Sequence, residues 1–467
     1  MRMRKAVAVL AVLFLVSTAL RTGAADSAGE GDLPVPSSVS LLEAVRHALS
    51  HSREGRIAAR DVRVAEEGRV RAGARRLPRV DASSDYTTLS EDPAIFIQGM
   101  ETQTMDRSVL RARVTAEQTI FDFGKTGARV SQADARIEVA ERKAALTKER
   151  VAFGVIAAFL SARRAAQLLH VAEESLAAAR EHRKVAGDLY DLGVVARNDL
   201  LAAEVQVANE EAALIAAENR LELSHSRLAL RMGFSGEKAV TPAQGDFPFP
   251  AGPLPPLSES LGTAASKRPE LQAQDAFIRE GAAAVTAARA EFAPTFFGQG
   301  GYSYESNDFN PNPNVFSLVL GGKINLFSGF SDEAARREAL LTVDRRKEER
   351  SLLGDEISLS VKGAHLAVTE AEKKKAVAEV AVDRAEENLR IQNNRYQEGL
   401  SISTEILDAQ TLLTRAKTDL SNSVYDLYEA RYRLLVERGE LLDFLSPLLG
   451  PAAGGEAAPP AGPGQGR

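Results

Sequence analysis

The sequence predicts a mainly α-helical protein with a smaller membrane β part. Three observations support this fold class: long proline-free tracts rich in Ala, Glu, Arg and Leu, four short segments of alternating polarity, and a twofold internal repeat. Apolar residues make up 44% of the 467 residues, which is enough to form a core, whereas aromatic residues make up only 6%. That mixture favours long helices over a compact β domain.

The residues at the N-terminus have the pattern of a secretory signal. Basic residues precede an apolar run over 6–16, and small residues follow at 23–25. This pattern predicts a cleavable signal over 1–25. No later apolar run is long enough to suggest a membrane-spanning helix, so we expect strands to cross any membrane that the chain enters.

The two proline-free tracts predict two pairs of long helices. Proline costs about 3 kcal/mol inside a helix, so its absence between 93 and 242 and between 313 and 447 favours helix. The first pair is predicted at about 126–233, and its longer helix would measure about 100 Å. The second pair is predicted at about 331–439.

Two β-hairpins are predicted where the helical pattern is interrupted, at about 79–123 and about 295–327. Each strand has about ten residues with one apolar and one polar face, which suits a strand between lipid and a water-filled lumen. A pair of solvent-facing hairpins on a soluble domain is the alternative. The predicted apolar faces comprise Val80, Ala82, Ser84 and Tyr86 with Leu110, Ala112, Val114 and Ala116, and then Phe296, Gly298, Gly300, Tyr302 and Tyr304 with Phe316, Leu318, Leu320 and Ile324.

The chain is an internal duplication. Pro78 recurs as Pro294, an offset of 216, and after the hairpins Gly193 recurs as Gly399, an offset of 206. The second hairpin is therefore about ten residues shorter than the first. The predicted organisation is a first repeat over 26–241, a Pro/Gly-rich linker over 242–256, a second repeat over 257–446 and a disordered tail over 447–467.

Several motifs, repeated in the same order, resemble the TolC-like outer-membrane efflux proteins over about residues 40–445. This family forms the exit ducts of tripartite efflux pumps and type I secretion systems. The motifs are Arg268-Pro269-Glu270-Leu271, Ala290-Glu291-Phe292-Ala293-Pro294, Asn325-Leu326-Phe327-Ser328-Gly329, Tyr396-Gln397-Glu398-Gly399 and Glu405-Ile406-Leu407-Asp408-Ala409-Gln410.

The resemblance implies a homotrimer in the cell outer membrane that extends into the periplasm. Each protomer would give four strands to one 12-stranded β-barrel, and the helical hairpins would form a periplasmic α-barrel. The implied partners are a periplasmic adaptor (membrane fusion) protein, an inner-membrane pump of the RND, ABC or MFS type, and outer-membrane lipid. Physical reasoning independently requires oligomerisation, because four strands cannot close a barrel and lipid does not tolerate open sheet edges.

The resemblance also implies a periplasmic gate. Glu405 and Asp408 match two acidic residues that form a ring near the closed end of the tube, and their spacing of three puts both on one helix face. Tyr396 and Asp199 match the latch that holds the gate shut, so we expect a hydrogen bond between them. Ser401 stands where family members often carry a basic residue, which Arg197 or Arg395 could replace.

The turns between the helices match the tips that meet the adaptor in the family. Glycine is suited to such a turn because it adopts a positive φ easily. Six residues are predicted to form these docking tips: Leu192, Gly193, Val194, Glu398, Gly399 and Leu400.

The sequence shows no catalytic or metal-binding pattern. The chain has no cysteine, and no Walker A or GxSxG motif is present. His47 and His51 are four residues apart, but Ala48 follows His47, so HExxH is missing and we expect ordinary helix-surface residues. We therefore expect no enzyme activity, no metal and no cofactor. The net charge of −6 disfavours nucleic acid as a partner.

Two questions of function stay open at this stage. A periplasmic coiled-coil scaffold without channel activity is the alternative to a duct, because long amphipathic helices would suit either. The exported substrate is also open among drugs, metal ions and proteins, with small-molecule efflux the commonest role in the family.

Overall fold

The structure is a computed structural model that describes residues 38–450; the predicted signal and the predicted tail beyond 450 lie outside these residues. The strands are β1 (Ser38–Val39), β2 (Arg79–Thr88), β3 (Ala94–Ile97), β4 (Met100–Gln103), β5 (Ser108–Phe121), β6 (Thr241–Pro242), β7 (Thr295–Glu305) and β8 (Asn314–Lys323). The α-helices are α1 (Leu41–His51), α2 (Arg53–Gly73), α3 (Lys125–Asp191), α4 (Arg197–Met232), α5 (Leu257–Lys267), α6 (Pro269–Ala290), α7 (Ser331–Gln397), α8 (Ser403–Arg438) and α9 (Leu441–Leu449).

The described chain divides into two compact units. The strand unit contains Val64–Ile137 and Phe277–Arg346, and the helical unit contains the described residues from 38 to 63 together with Glu138–Ala276 and the chain from Lys347 to residue 450. The predicted fold class, mainly helical with a four-stranded β part, is confirmed.

The strand unit is built on one four-stranded antiparallel sheet with the order β2-β5-β7-β8. In the first hairpin Val80 pairs with Ala116, and in the second hairpin Gly300 pairs with Leu318. Ala116 also pairs with Gly300, which joins the two hairpins edge to edge. The faces predicted from alternation are therefore the faces observed, because the side-chain period of a strand is two.

One face of this sheet is apolar and uncovered in the single chain. Phe316, Leu318 and Leu320 occupy alternate positions on β8 and so share one face of the sheet. All three are exposed, and Leu318 is 78% exposed. Within the described residues β2 and β8 each have one strand neighbour, so both edges of the sheet are open. In lipid an open edge leaves backbone groups unpaired, and further chains are needed to close the sheet.

The first hairpin carries a small β-hairpin that the sequence analysis missed. Strands β3 and β4 pair from Ala94 with Gln103 to Ile97 with Met100. Gln98 and Gly99 connect them with φ of 50° and 86°. Two positive φ values in a two-residue loop are typical of a type I′ turn, which matches the twist of the strands. This insertion explains the extra residues of the first hairpin.

The helical hairpins of the two repeats have equal dimensions. Helices α3 and α7 each have 67 residues, and α4 and α8 each have 36. Gly233 and Gly439 end α4 and α8 with φ of 102° and 70°. A Cβ on Gly233 would lie 2.7 Å from the carbonyl oxygen of His51, and one on Gly439 would lie 3.1 Å from the carbonyl carbon of Lys267. Glycine therefore allows each helix end to contact the short helix that opens its repeat.

The core of the helical unit explains an apolar stretch in α3. Within the described residues α3 is the one helix that is long and apolar enough to cross a membrane, contrary to the sequence expectation. Its residues Val155, Ile156 and Phe159 are instead buried in a cluster with Leu228 of α4 and Tyr432 of α8. Packing in the core accounts for this hydrophobicity.

The Arg268-Pro269-Glu270-Leu271 motif fixes the start of the second repeat. The Arg268 guanidinium lies 2.7 Å from Glu270 and 2.7 Å from Glu437, and it donates to the carbonyl oxygens of Val436 and Glu437. Those carbonyls belong to the last turn of α8, where the amide of Gly439 also donates to Val436. Arg268 therefore caps α8 while it anchors α6.

The linker after β6 is ordered against the helices. Arg431 on α8 donates to the carbonyl of Gly252 at 2.7 Å, and the Tyr432 hydroxyl donates to the carbonyl of Pro248. Burial also raises the pKa of Tyr432. The Pro/Gly-rich composition therefore indicates an extended segment, whose backbone carbonyls accept hydrogen bonds from side chains of α8.

The predicted start of the tail at 447 is wrong. Helix α9 continues through Pro447 to Leu449, and Leu441 and Leu445 of this helix are buried. Burial of these two leucines outweighs the missing backbone donor of the proline, which lies only two residues before the helix ends.

Candidate gate and docking tips

The two helix–helix turns have the same backbone geometry. Gly193 and Gly399 have φ of 72° and 70°. The amide of Gly193 donates to the carbonyl of Tyr190 at 2.9 Å, and the amide of Gly399 donates to that of Tyr396 at 3.0 Å. The next amide in each turn, from Val194 or Leu400, reaches back five residues to another carbonyl. This pair of bonds is a Schellman motif, which requires the left-handed residue that glycine provides.

Both turns present apolar side chains and open backbone to solvent. Leu192 is 75% exposed, Val194 is 56% exposed and Leu400 is 64% exposed. Glu398 and the two turn glycines are exposed as well. A Cβ on Gly193 or Gly399 would meet nothing within 4 Å. The tips are therefore free surfaces in the single chain.

The two predicted gate carboxylates lie at the start of α8, on the side away from its packed face. Glu405 is half-buried and Asp408 is exposed, whereas their neighbours Ser403, Ile406 and Ala409 are buried. This is the arrangement that a spacing of three produces on a helix. Both carboxylates are thus available to a space outside the chain.

The carboxylate of Glu405 is held by its own hairpin. Ser401 donates a hydrogen bond to it at 2.6 Å, and Arg395 lies 3.8 Å from it. Arg395 also donates to the carbonyl of Leu400 at 3.3 Å. The contacts of Arg395 therefore lie inside the second hairpin, and Arg197, the other predicted substitute, is exposed at the start of α4.

The expected hydrogen bond between Tyr396 and Asp199 is not formed. Tyr396 is 1% exposed, and among the described residues its hydroxyl has no hydrogen-bond partner. Burial, and after it the charge of Asp199, raise the pKa of Tyr396, while the Ser403 hydroxyl opposes this shift. The two predicted latch residues are therefore neighbours without a direct bond.

A different pair connects the two hairpins beneath the tips. The imidazole Nε2 of His182, on α3, lies 2.8 Å from the hydroxyl oxygen of Ser403, on α8. Both side chains are buried. The same hydroxyl lies 3.4 Å from the backbone carbonyl oxygen of Asp199, at the start of α4. Ser403 of the second hairpin thus contacts both helices of the first.

Further polar contacts continue between α3 and α8. Gln410 donates to the carbonyl of Ala178 at 3.4 Å, and the hydroxyls of Ser175 and Thr414 lie 2.9 Å apart. Lys417 lies 2.9 Å from Glu174. We call the contacts from His182–Ser403 to Glu174–Lys417 the polar seam. It joins the first hairpin to the second over about two turns of α3 and about four turns of α8.

The sequence contained one indication of His182. Leu176, Ala179 and Ala186 are buried on α3 at helical spacing, and His182 falls within the same stripe. A polar residue inside an apolar stripe is either satisfied by a partner or functional. Its partner could not be read from the sequence, because Ser403 lies 221 residues away.

The two histidines near the N-terminus have packing roles. The Nδ1 of His47 lies 3.0 Å from the carbonyl oxygen of Met232, and its ring stacks on those of His51 and Phe234. His47 therefore helps to hold the end of α4 and is not the ordinary surface residue that the sequence suggested. Within residues 38–450, no group of three or more His, Asp or Glu could hold a metal ion.

Comparison with known proteins identifies the family of this chain. The model of the family described as "Outer membrane efflux protein" matches residues 44–233 and 261–436. The chain belongs to the outer membrane efflux protein family. The two matched segments fall on the two repeats, each of which gives two strands to the four-stranded sheet and contains one long helical hairpin.

Two relatives support this membership over most of their length. The outer membrane efflux protein described here is 28% identical over 437 residues to Protein CyaE of Bordetella pertussis, covering 86% of this chain and 84% of the relative. It is 21% identical over 372 residues to Nodulation protein T of Rhizobium leguminosarum bv. trifolii, covering 75% and 78%.

Solved channel structures have the same fold. The CmeC outer membrane channel of Campylobacter jejuni matches with a TM-score of 0.75 at 14% identity, over 86% of each chain. The outer-membrane channel OprN matches with 0.73 at 20% identity, over 85% of this chain and 89% of that chain. VceC of Vibrio cholerae matches with 0.72 at 19% identity, over 85% and 96%.

Family and fold together establish the general role of the chain. It is an exit duct of an efflux or secretion system, located in the outer membrane and extending into the periplasm. The matching family and structures are channels and efflux proteins, not enzymes.

Proposed function

We propose that three copies of this chain form one duct, with a single 12-stranded barrel in the outer membrane. The observation that carries this proposal is the sheet β2-β5-β7-β8, which combines an uncovered apolar face with two open edges. Lipid accepts the apolar face but not the edges, so the sheet must join others. Closing a barrel with twelve strands satisfies every edge.

We further propose that Glu405 and Asp408 form the periplasmic gate. Their position on the free side of α8 supports this role, because threefold repetition would place six carboxylates around one aperture. Such a ring attracts cations and repels anions. Tyr396 is buried beside Asp199 and near Ser403 at this end of α8, which supports Tyr396 and Asp199 as a latch.

The two tips are the proposed docking surface for a periplasmic adaptor, which would connect the duct to an inner-membrane pump. Exposed Leu192, Val194 and Leu400 beside open glycine backbone suit contact with the tip of another helical hairpin. The cargo is whatever that pump delivers, because a wide wet passage needs no specific pocket.

Oligomeric state and location test this proposal against a soluble scaffold. We expect the mature chain to fractionate with the outer membrane and, after extraction in detergent, to have the native mass of three chains. A monomer that is freely soluble in the periplasm without detergent would contradict the duct and favour a coiled-coil scaffold.

A further inference from the structure

Three buried side chains and one backbone carbonyl, from four helix ends, form a cluster beneath the tips. His182 of α3 is 5% exposed, Ser403 of α8 is 0% exposed and Tyr396 of α7 is buried between them. The half-buried Asp199 at the start of α4 completes the cluster through its backbone carbonyl. Each helical hairpin contributes two members, so the hairpins cannot separate at this end without opening the cluster.

The hydrogen bond between His182 and Ser403 is the central contact of this cluster. When the Ser403 hydroxyl donates to the carbonyl of Asp199, the Nε2–H of His182 donates to Ser403, and a neutral imidazole satisfies both bonds. The Tyr396 ring covers the imidazole with 5.2 Å between ring centroids. Separation of the hairpins breaks these bonds and brings water to His182.

We propose that the His182–Ser403 hydrogen bond fastens the second hairpin to the first in the closed duct, and that protonation of His182 releases it. Acid would therefore favour the open state. The inference rests on the proposed gating function. It adds a hydrogen bond that fastens the two hairpins inside each protomer, at the end where Ser401 replaces the basic residue that the resemblance implied.

The sign of the pH effect follows from burial. In the closed arrangement burial lowers the pKa of His182, and the charge of Asp199 offsets part of this lowering. In the open arrangement the imidazole meets water, and its pKa returns toward the ordinary value of about 6.5. The open state then binds the proton more tightly, so opening is favoured as the pH falls below about 6.5.

Other charged groups at these helix ends do not share this environment. Glu405 is half-buried and bonded to Ser401. The other charged residues near the four helix ends are exposed: Glu181, Arg183, Lys184, Asp188, Asp191, Arg197, Arg395, Glu398 and Asp408. Protonation of a crowded ring of Glu405 and Asp408 would relieve repulsion in the closed state, so it would favour closing. Opening in acid therefore indicates protonation of His182, whereas closing in acid indicates protonation of the carboxylate ring.

Channel recordings in planar bilayers test the proposal. We expect the open probability of the wild-type duct to rise about tenfold between about pH 7.5 and about pH 5. His182→Gln keeps a hydrogen-bond donor but cannot titrate in this range, so it should remain mostly closed at both pH values. Ser403→Ala should be open more often than wild type at both.

A matched control is available in the same unit. His225 on α4 is half-buried, and burial also lowers its pKa, but it lies outside the cluster. His225→Gln should therefore retain the acid response of the wild type. If His182→Gln retains the response in full, or if acid closes the wild-type duct, the proposal is overturned.

A covalent lock tests the same motion without changing His182. The chain has no cysteine, so Ser175→Cys/Thr414→Cys introduces one pair at a place where the two hydroxyls lie 2.9 Å apart. Oxidation of this pair should hold the seam and abolish opening in acid, and reduction should restore it. Acid opening that persists in the oxidised variant would contradict the proposal.

A distance measurement separates failure of this inference from failure of the duct. Spin labels on Leu192→Cys and Leu400→Cys report the spacing of the tips without any conductance. We expect the label distance to increase in acid, and to stay constant when His182→Gln is added. A wild-type chain that moves in this way but does not conduct would refute the proposed duct alone; labels that do not move would refute the fastening.

Discussion

Ser401 donates a hydrogen bond of 2.6 Å to the carboxylate of Glu405, one turn further along the second hairpin. The resemblance to the family implied a basic side chain at the position of Ser401. Here a neutral hydroxyl occupies it, and the nearest guanidinium, that of Arg395, lies 3.8 Å from Glu405 in a solvent-exposed pair. Exposed pairs of this kind are weak, so Arg395 contributes little to holding Glu405 in place.

Removing the gate charges should weaken cation selectivity. In the double variant Glu405→Gln/Asp408→Asn the side chains keep their size, but the ring loses its six proposed charges. We expect the cation-to-anion permeability ratio in bilayers to fall by at least about threefold. The control is Asp419→Asn, an exposed carboxylate further along α8 that pairs with Arg415. Equal ratios in the double variant and the control would contradict the gate.

A basic residue at position 401 should also weaken cation selectivity, because it places a positive charge beside Glu405. Ser401→Arg replaces the hydroxyl with a guanidinium beside Glu405, which we expect to lower the cation preference and the resting conductance by about twofold or more. Ser401→Thr keeps the hydroxyl bond and should resemble the wild type. The two variants are compared by single-channel recording, and identical behaviour would show that position 401 does not influence the gate.

The orientation of the sheet can be tested at two adjacent residues. Leu318 pairs with Gly300 on the apolar face, whereas Val319 pairs with Gln299 on the opposite face. A lysine on the lipid face costs about 2–4 kcal/mol near the middle of the membrane. Leu318→Lys should therefore reduce the amount of assembled protein in outer-membrane fractions several-fold, and Val319→Lys should not. Equal losses in both variants would contradict the assignment of the faces.

Bulky side chains at the tips should block docking without preventing assembly. Nothing lies within 4 Å of a Cβ at Gly193 or Gly399, so tryptophan fits in the single chain, although it strains the positive φ. Asparagine adopts this conformation more readily and is small, so Gly193→Asn/Gly399→Asn is the matched control. We expect tryptophan at both positions to reduce export and adaptor cross-linking at least tenfold, with the oligomer intact. Normal export by the tryptophan variant would contradict the docking role and leave the tips as structural turns only.

Glu149 should make stability depend on pH. Burial, and after it the charge of Glu270, raise the pKa of Glu149 to about 7 from an ordinary 4.5. The folded state thus binds the proton more tightly, and the resulting stabilisation is complete below about pH 4.5 and lost as the pH rises through about 7. The loss is on the order of 3 kcal/mol for each chain.

Thermal unfolding of the Glu149→Gln variant checks this expectation. The amide removes the buried charge, so the variant should be more stable than wild type at about pH 8.5 and nearly equal to it at about pH 4.5. Glu141→Gln, at an exposed position on the same helix, should change stability little at either pH. A difference between Glu149→Gln and wild type that is the same at both pH values would contradict the titration.

Local patterns were sufficient to predict the strands and the turns. Alternation along 80–86 and 110–116 determined which residues share a face, since a shift of one residue would expose the other set. Gly193 and Gly399 marked the helix turns because a Schellman motif needs a residue of positive φ. The equal helix lengths followed from the duplication and the distribution of proline.

Contacts between distant segments could not be predicted in the same way. His182 and Ser403 come from different repeats, and only the packing of α3 on α8 brings them together. Likewise, the family pattern suggested a bond between Tyr396 and Asp199, but in the structure the Ser403 hydroxyl contacts the backbone carbonyl of Asp199 instead. The helical end of the chain at Pro447 depends on buried leucines that composition does not reveal.

Conductance of the purified chain tests the central claim most directly. After extraction from the outer membrane and insertion into a planar lipid bilayer, the wild-type oligomer should produce discrete conductance steps that favour cations, and Leu318→Lys should produce them far less often than Val319→Lys. A chain that inserts as a stable oligomer and never conducts, at neutral pH or in acid, would contradict the account of this protein as an outer-membrane exit duct.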